Sequence, residues 1–202
     1  MIQFNKQALR NILRAKRRAL SSDYITQCSI QVAQRLQTST LFQPQSHVAI
    51  YATFDGEIDL IPTVNYLWQQ QCTCYLPIIS TTDNSMVFQR YPKDSKLVEN
   101  KFAIKEPKPD PEQQISVDKL DIILLPLVGF DMQGSRLGMG AGYYDRALRQ
   151  LITPTDHTQK IHKPLLIGVG YSWQQVANIP RDPWDVSLHA VVTEQQFIAF
   201  DL

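Results

Sequence analysis

The stretch that decides the fold runs from Asp121 to Leu151, DIILLPLVGFDMQGSRLGMGAGYYDRALRQL. Its first part, Ile122 to Leu127, is a short apolar run of the kind that forms a buried strand. Its last part, Tyr143 to Leu151, carries apolar residues at helical spacing. The glycine-rich segment between them is therefore predicted to join the end of a strand to the start of a helix. Free N–H groups and the positive end of the helix dipole make such a place a candidate anion site.

The spacing of the glycines excludes the common phosphate-binding loops. Five of the eight glycines in the chain lie in this segment: Gly129, Gly134, Gly138, Gly140 and Gly142. Walker A requires GxxxxGK[ST], and no Lys-Ser or Lys-Thr follows a suitable glycine here; the alternation of the last three glycines also breaks the dinucleotide pattern GxGxxG. A set of tight structural turns is one interpretation. Three alternating glycines between Arg136 and the Tyr143-Tyr144-Asp145 triplet favour a phosphate site instead.

These residues also resemble a known family. The segment RLGMGAGYYDRAL, preceded by LLPLVGFDMQG, is similar to the signature of the 5-formyltetrahydrofolate cyclo-ligase family, also called methenyltetrahydrofolate synthetases. Three further features stand in matching order: Lys6 and Arg10 in a basic N-terminal segment, Glu57 within YATFDGEIDL, and the late segment PWDVSLHAVVTE. The resemblance therefore covers nearly the whole chain.

The composition is that of an ordinary globular protein. The chain has 202 residues, of which 44% are hydrophobic and 19% charged, with a net charge of +1. We expect one domain over residues 1–202, a monomer, and neither a nucleic-acid nor a membrane partner. Three cysteines without a Cys-x-x-Cys pair predict reduced thiols rather than a zinc site. Because there is no apolar signal core and no apolar run of membrane length, we expect a cytoplasmic protein.

Apolar periodicity predicts alternating helices and strands along the chain. Helices are predicted at residues 5–20 with Asn5 as a cap, from a cap at Ser22 or Asp23, at Ile58–Gln70 and at Tyr143–Leu151. Strands are predicted at His47–Ala52, Thr73–Ile79, Met86–Tyr91 (an edge strand), Ile122–Leu127, Leu165–Tyr171 and Ala190–Thr193. Residues 92–118 are rich in proline and are interpreted as a long excursion that covers a cleft, and 153–163 as a polar loop.

This alternation indicates a three-layer α/β/α sandwich with a mostly parallel sheet. The family resemblance narrows it to the Rossmann-like sandwich that sugar-phosphate isomerases and CoA transferases share. Ligands of such sheets bind beyond the carboxyl ends of the strands. Since the turn that holds Glu57 and the glycine-rich loop both follow predicted strands, we expect the two to face one cleft.

The resemblance implies a reaction and a set of site residues. The reaction is the ATP- and Mg²⁺-dependent conversion of 5-formyltetrahydrofolate to 5,10-methenyltetrahydrofolate, with release of ADP and phosphate. The implied ATP-binding residues are Lys6, Arg10, Arg136, Gly138, Gly140, Gly142, Tyr143 and Tyr144. The implied folate-binding residues are Ala52, Glu57, Met139, Gly140, Gly142 and Tyr143, with Phe54 and Phe102 as candidate aromatic walls.

Two residues are candidates for catalysis. Arg136 has a planar guanidinium that suits phosphate oxygens, although a loop arginine can equally tie down a backbone carbonyl. Asp145 lies in the first predicted turn of a helix, where a carboxylate commonly only compensates the dipole; the resemblance makes it a magnesium ligand. His189 stands where the family frequently has a second metal-binding aspartate. Asp182 and Asp185 lie nearby, so the rest of the metal shell stays open.

The basic N-terminal segment has more than one interpretation. Six basic residues precede the first acid, and helical spacing predicts two faces: Lys6, Arg10, Arg14 and Arg17 on one, and Leu9, Ile12, Leu13 and Leu20 on the other. On the residues alone this is a solvated face, a phosphate site or an RNA-binding patch. The resemblance implies that Lys6 and Arg10 bind the phosphates of ATP. A sugar-phosphate isomerase or a CoA transferase on the same fold is the alternative enzyme.

Overall fold

The structure is a computed structural model that describes residues 5–80, 85–151 and 164–200. The polar loop predicted at 153–163 lies outside the described residues. The helices are α1 Lys6–Arg18, α2 Ser22–Thr38, α3 Ile61–Gln69 and α4 Tyr143–Leu148. The strands are β1 His47–Ala49, β2 Thr73–Ile79, β3 Met86–Arg90, β4 Leu97–Glu99, β5 Lys105–Pro107, β6 Gln114–Ile115, β7 Ile122–Pro126, β8 Gly129–Phe130, β9 Arg136–Leu137, β10 Leu165–Val169, β11 Ala190–Val192 and β12 Phe197–Ala199.

Eight of these strands form one mixed sheet in the order β12-β11-β10-β7-β1-β2-β3-β6. The five strands from β11 to β2 in this order pair in parallel, whereas β12, β3 and β6 pair antiparallel to their neighbours. The expected α/β fold with a mostly parallel sheet is confirmed. The chain proceeds from β1 to β2 on one side and from β7 to β10 on the other. The strand order therefore reverses between β1 and β7, which is where a sheet of this kind opens a crevice.

Apolar side chains cover both faces of this sheet. On one face, alternate residues of the central strands such as Val48 and Leu124 pack against the buried stripes of α2 and α3. On the other face, Ile123 and Leu125 pack against Leu148 and the 3₁₀ turn that follows α4. Because successive strand residues point to opposite faces, one apolar strand supplies both cores. Cys28, Cys72 and Cys74 are buried free thiols, in line with the prediction.

Helix α1 lies against the carboxyl edge of the sheet rather than on one of its faces. Asn5 caps it as predicted, and Leu13 packs against Val128 and Leu137 in the segment after β7. The predicted division into an apolar and a basic face is wrong at two positions: Ile12 is 67% exposed, and Arg17 is 1% exposed. Leu13 and Arg17 are four residues apart and so lie on the same face. That face turns inward.

Several predicted boundaries also differ from the structure. The cap of α2 is Ser21, whose side chain accepts a hydrogen bond from the N–H of Tyr24, and not Ser22 or Asp23. Helix α3 begins at Ile61 rather than Ile58: the N–H of Ile61 donates to Oδ1 of Asp59, and Pro62 occupies the first turn. Strand β3 is not an edge strand, since β6 pairs with it. Strands β6, β8 and β9 are too short to show an alternation of apolar and polar residues, so the sequence did not predict them. No helix in the described parts of the chain has the length and apolar character needed to cross a bilayer.

The position of Leu124 gives a test of the packing. Leu124 is fully buried in the central strand β7, so Leu124→Ala is expected to lower the free energy of unfolding by about 2–5 kcal/mol. Ile30 on α2 is 43% exposed, and Ile30→Ala serves as the matched control with an expected change of about 0.5 kcal/mol or less. Urea denaturation measures both. Equal losses in the two variants would contradict this assignment of the core.

Candidate active site

A cleft with a volume of about 570 Å³ opens at the carboxyl ends of β1 and β7. Its walls come from the segment after β1, the segment after β7, the beginning of α1, and the β4–β5 hairpin, whose Asn100 and Phe102 border it. The proline-rich excursion thus covers a cleft, as expected. Every predicted site residue lines this cleft: Lys6, Arg10, Ala52, Glu57, Arg136, Gly138, Met139, Gly140, Gly142, Tyr143, Tyr144 and Asp145. The structure brings them together, and their individual roles stay predictions.

A short hairpin holds Arg136 in place. Strands β8 and β9 pair Phe130 with Arg136, and the turn between them is built on Asp131, which is fully buried. One oxygen of Asp131 accepts hydrogen bonds from the N–H groups of Gln133 (3.0 Å) and Ser135 (2.9 Å). Its other oxygen accepts from the N–H of Ile179 at 2.8 Å, which ties the hairpin to the C-terminal part of the chain. Arg136 therefore extends from a fixed backbone and not from a free loop.

The guanidinium of Arg136 is buried but only partly paired. Its side chain is 5% exposed, and Nη2 donates to Oδ1 of Asp145 at 2.6 Å. The Cζ atom lies 5.5 Å from the centre of the Tyr144 ring. Nη1 is buried and has no hydrogen-bond partner among the described residues. An unpaired buried donor costs about 1–3 kcal/mol, and a hydrogen-bond acceptor placed against Nη1 would remove that cost.

The three alternating glycines differ in backbone conformation. Gly140 (φ +99°) and Gly142 (φ +67°) adopt left-handed backbone conformations that other residues rarely occupy. Gly138 does not, and a Cβ built on it meets no described atom within 4 Å. Its glycine keeps a stretch of backbone open to the cleft. The Nε of Arg10 donates to the carbonyl of Gly138 at 2.8 Å, which joins α1 to the loop.

Helix α4 contributes less to an anion site than the sequence suggested. The predicted helix at Tyr143–Leu151 is an α-helix only to Leu148, and Arg149–Leu151 is a 3₁₀ turn. It has no side-chain cap at its N-terminus. A dipole from six residues is small. The positive charge of the cleft therefore comes mainly from side chains.

Glu57 lies in the opposite wall, in the turn after β1. It is 8% exposed, and its Oε2 accepts a hydrogen bond from the N–H of Phe54 at 3.2 Å. Its Oε1 lies 3.5 Å from Nη1 of Arg17. Burial raises the pKa of Glu57 to about 7, against the opposing effects of the Arg17 guanidinium and the Phe54 N–H. The carboxyl group is therefore poised between its neutral and ionised forms near neutral pH.

Both tyrosines of the triplet border the cleft, and both also pack against the second core cluster. The Tyr144 hydroxyl is buried without a partner among the described residues. Burial and the nearby Glu57 carboxylate raise the pKa of Tyr144, so the phenol stays protonated and can donate. The Tyr143 ring meets the Phe102 ring edge-on at 6.1 Å. Each of the two rings therefore belongs both to the cleft wall and to the core.

The C-terminal wall of the cleft is acidic. Lys6 Nζ lies 2.8 Å from Asp182 Oδ2 and 3.3 Å from Asp185 Oδ2. His189 does not line the cleft; its Nδ1 accepts a hydrogen bond from the N–H of Leu166. Of the three residues considered for the metal shell besides Asp145, the two aspartates thus face the cleft and the histidine does not.

The described residues contain no cluster of three His, Cys, Asp or Glu side chains that would hold a metal by themselves. Mg²⁺ is usually bound through one or two carboxylates together with phosphate oxygens and water. Asp145 fits that pattern, because Arg136 contacts only one of its oxygens and its side chain is 31% exposed. The donor set therefore suits a magnesium ion that enters together with a phosphate ligand.

The basic face of α1 is turned into the protein. Arg14 and Arg18 both donate to the carboxylate of Asp55, and Arg17 is buried beside it. At Arg17, therefore, the helix does not present a solvated face. The pairing of Asp55 with Arg17 was not predicted from the sequence, where the only indication of it is the turn-forming Asp55-Gly56 pair. Asp55 (φ +55°) and Gly56 (φ +76°) both have left-handed backbones.

Comparisons with known proteins identify the family of this chain. The model of the 5-formyltetrahydrofolate cyclo-ligase family matches residues 2–194. The 5-formyltetrahydrofolate cyclo-ligase of Escherichia coli K12 is 34% identical over 183 residues, which cover 90% of this chain and 96% of that protein. The enzyme of the same name from Saccharomyces cerevisiae is 29% identical over 206 residues, with 93% and 94% covered.

Solved structures lead to the same family. The NMR structure of Aquifex aeolicus 5,10-methenyltetrahydrofolate synthetase superposes with a TM-score of 0.79 at 31% identity, covering 98% of this chain and 93% of that one. The Mycoplasma pneumoniae 5,10-methenyltetrahydrofolate synthetase superposes with a TM-score of 0.71 at 26% identity, covering 95% and 99%. This chain belongs to the 5-formyltetrahydrofolate cyclo-ligase family.

Proposed function

We propose that this protein catalyses the ATP-dependent cyclisation of 5-formyltetrahydrofolate to 5,10-methenyltetrahydrofolate, with release of ADP and phosphate. The observation that carries the proposal is the match of the family model over residues 2–194, which includes the whole lining of the cleft. We further propose that a single domain over residues 1–202 acts as a monomer in the cytoplasm. Its ligands are small molecules rather than nucleic acid or membrane.

The chemical difficulty lies in the formyl group. A formamide carbon is a poor electrophile, and its oxygen is a poor leaving group. Transfer of the γ-phosphoryl group forms a bond between phosphorus and the formyl oxygen and breaks the bond to ADP. The N10 amine then attacks the formyl carbon, phosphate leaves with the former formyl oxygen, and the N10 proton passes to solvent. Such a transfer depends mainly on positioning and on stabilisation of charge.

The residues that we assign to ATP supply positive charge that can stabilise the phosphoryl group. Lys6 and Arg10 come from the first turns of α1, and Arg136 comes from the hairpin after β7. The unpaired Nη1 of Arg136 supports its assignment to the phosphoryl group in transfer. Gly138, Gly140 and Gly142 let the phosphates approach the backbone, and Tyr143 and Tyr144 follow directly. Lys6 has three donors, so it can contact a phosphate without leaving its aspartates.

The folate is assigned to the other end of α1. Lys6 and Arg17 are eleven positions apart, which corresponds to about 16 Å along a helix. Arg17 contacts Glu57, so the carboxylate that would accept the N–H edge of the pterin lies far from the phosphate-binding lysine. The cleft that we assign to the folate is also lined by Ala52, Met139, Gly140, Gly142 and Tyr143. This separation allows the two substrates to lie end to end.

Magnesium is assigned to Asp145, with phosphate oxygens and water completing its coordination. When bound, the ion would neutralise charge on the phosphates. Asp145 also holds Arg136 through the 2.6 Å contact. The same carboxylate would thus hold both the ion and the guanidinium of Arg136.

A direct assay tests the proposed function. Methenyltetrahydrofolate absorbs in the near ultraviolet, where 5-formyltetrahydrofolate does not, so its formation is followed by absorbance with purified protein. We expect product only when both ATP and Mg²⁺ are present. Absence of product under all conditions would reject the function. Turnover of a sugar phosphate or a CoA ester without ATP would support the alternative enzymes on this fold.

Arg136→Ala tests the role of the buried guanidinium. Loss of one charge contact to a transition state typically costs on the order of 3 kcal/mol, so turnover is expected to fall about a hundredfold. The thermal unfolding of the variant is measured alongside as a control for folding. Near-normal turnover in a folded Arg136→Ala protein would show that the phosphoryl group is stabilised by other residues.

Asp145→Asn tests the magnesium assignment. We expect the Mg²⁺ concentration for half-maximal activity to rise by about tenfold or more, because the substitution removes a charged oxygen ligand. His189→Ala is the matched control, since His189 does not line the cleft and its substitution should leave this concentration unchanged. An equal rise in His189→Ala would refute the assignment, and an equal rise in Asp185→Asn would place a second carboxylate on the ion.

A further inference from the structure

Among the residues that the structure describes, Arg17 is the one fully buried cation near the cleft. Its side chain is 1% exposed, although it belongs to a helix on the edge of the sheet. Burial of an arginine without partners is strongly unfavourable. The contacts that Arg17 makes must therefore compensate for the burial of its charge. Those contacts reach three segments that are far apart in the sequence.

The first segment is the turn after β1. Nε of Arg17 donates to the carbonyl of Asp55 at 2.7 Å, and Nη2 donates to Oδ2 of Asp55 at 3.0 Å. Nη1 lies 3.5 Å from Oε1 of Glu57. One guanidinium thus contacts the backbone and both carboxylates of this turn.

The other two segments follow β7. Nη1 of Arg17 donates to the carbonyl of Leu127 at 3.1 Å, directly beyond the strand end. Nη2 lies 3.8 Å from the sulfur of Met139 in the glycine-rich loop. Leu127 and Met139 both line the cleft, as does Glu57. Arg17 itself does not line it, so it acts on the cleft through these neighbours.

The neighbouring arginines do not share this position. Arg14 and Arg18 also bind Asp55, but their side chains are 25% and 57% exposed, and neither has a contact with Glu57. Asp55 is thereby held by three arginines, whereas among the described residues Glu57 has an ion-pair contact with Arg17 alone. Arg17 is the link between the charge on α1 and the carboxylate in the cleft.

We propose that Arg17 is a positioning residue for the folate end of the cleft, which holds the Glu57 carboxyl group in place and keeps it ionised for the substrate. The inference rests on the proposed function, because that function assigns Glu57 to the N–H edge of the pterin. An ionised carboxylate is the form that accepts two such hydrogen bonds.

The charges around Glu57 give the expected direction. Arg17 and Arg14 on α1 favour its carboxylate, and Asp55 in the same turn disfavours it. The hydroxyl groups of Tyr51 and Tyr144 lie near enough for the Glu57 carboxylate to raise the pKa of each phenol, and both stay neutral at working pH. Loss of Arg17 therefore raises the pKa of Glu57 above its value of about 7, and loss of Asp55 lowers it.

The pH dependence of kcat/KM for 5-formyltetrahydrofolate tests this directly, since it reports ionisations of the free enzyme. In the parent protein kcat/KM should fall as the pH drops through the pKa of Glu57, and Glu57→Gln should remove that step. Arg17→Gln should move the midpoint upward by about one pH unit, a tenfold change in the ionisation constant. Arg17→Lys keeps the charge, so its midpoint should stay close to that of the parent protein. The KM for ATP should stay unchanged throughout.

Two further variants provide the controls. Arg18 lies on the same helix and binds the same aspartate as Arg17, but it does not contact Glu57. The midpoint of Arg18→Gln should therefore equal that of the parent. Asp55→Asn should move the midpoint downward, and asparagine tolerates the left-handed backbone at this position. Ionisations of the substrate are common to all variants and cancel in the comparison.

A folded Arg17→Gln protein with the parent midpoint would overturn the proposal, as would equal shifts in Arg17→Gln and Arg18→Gln. If Arg17→Gln does not fold, Asp55→Asn decides, and an unchanged or raised midpoint overturns the proposal. A parent protein without cyclo-ligase activity would reject the proposed function as a whole. An active parent with unmoved midpoints would reject the role of Arg17 alone.

Discussion

The buried ion pair between Arg17 and the Asp55–Glu57 turn is the interaction on which the cleft depends. Helix α1 is joined to the sheet edge by only a few apolar contacts, chiefly those of Leu13. The guanidinium adds hydrogen bonds to the turn after β1 and to the end of β7. Removing one partner of a buried pair typically costs about 3–5 kcal/mol, because the other charge is left without compensation. The same contact thus fixes the helix and sets the distance between two walls of the cleft.

With α1 fixed in this way, its two ends serve different walls. Lys6 and Arg10 reach the acidic C-terminal segment and the glycine-rich loop, and Arg17 reaches the carboxylate of Glu57. Arg136 stands on a separate rigid support, the hairpin whose turn is organised by the buried Asp131. The positive charge of the cleft therefore comes from two elements that buried hydrogen bonds tie to the rest of the fold. Phosphoryl transfer requires such preorganisation, because little covalent help comes from the protein.

Much of this site was predictable from the sequence, and the exceptions have physical causes. The apolar run at Ile122 and the alternating glycines predicted a strand followed by a ligand loop, and the rule for parallel strands predicted that the Glu57 turn would meet it. The direction in which α1 turns was not predictable. Its charge pattern suits a solvated face equally well, and only the acceptors Asp55 and Leu127, distant in sequence, make burial of Arg17 favourable. His189 is a different case: it directly precedes β11 and pairs with Leu166 at the start of β10, so it lies at the amino ends of these strands, whereas the cleft opens at the carboxyl ends.

The central claim is that one cleft brings the γ-phosphoryl group of ATP to the formyl oxygen of the folate. The most direct measurement uses 5-formyltetrahydrofolate labelled with oxygen-18 in the formyl group, followed by mass spectrometry of the phosphate released during turnover. Transfer to the formyl oxygen predicts one labelled oxygen in each phosphate formed. Unlabelled phosphate, with the label released into water, would contradict the account.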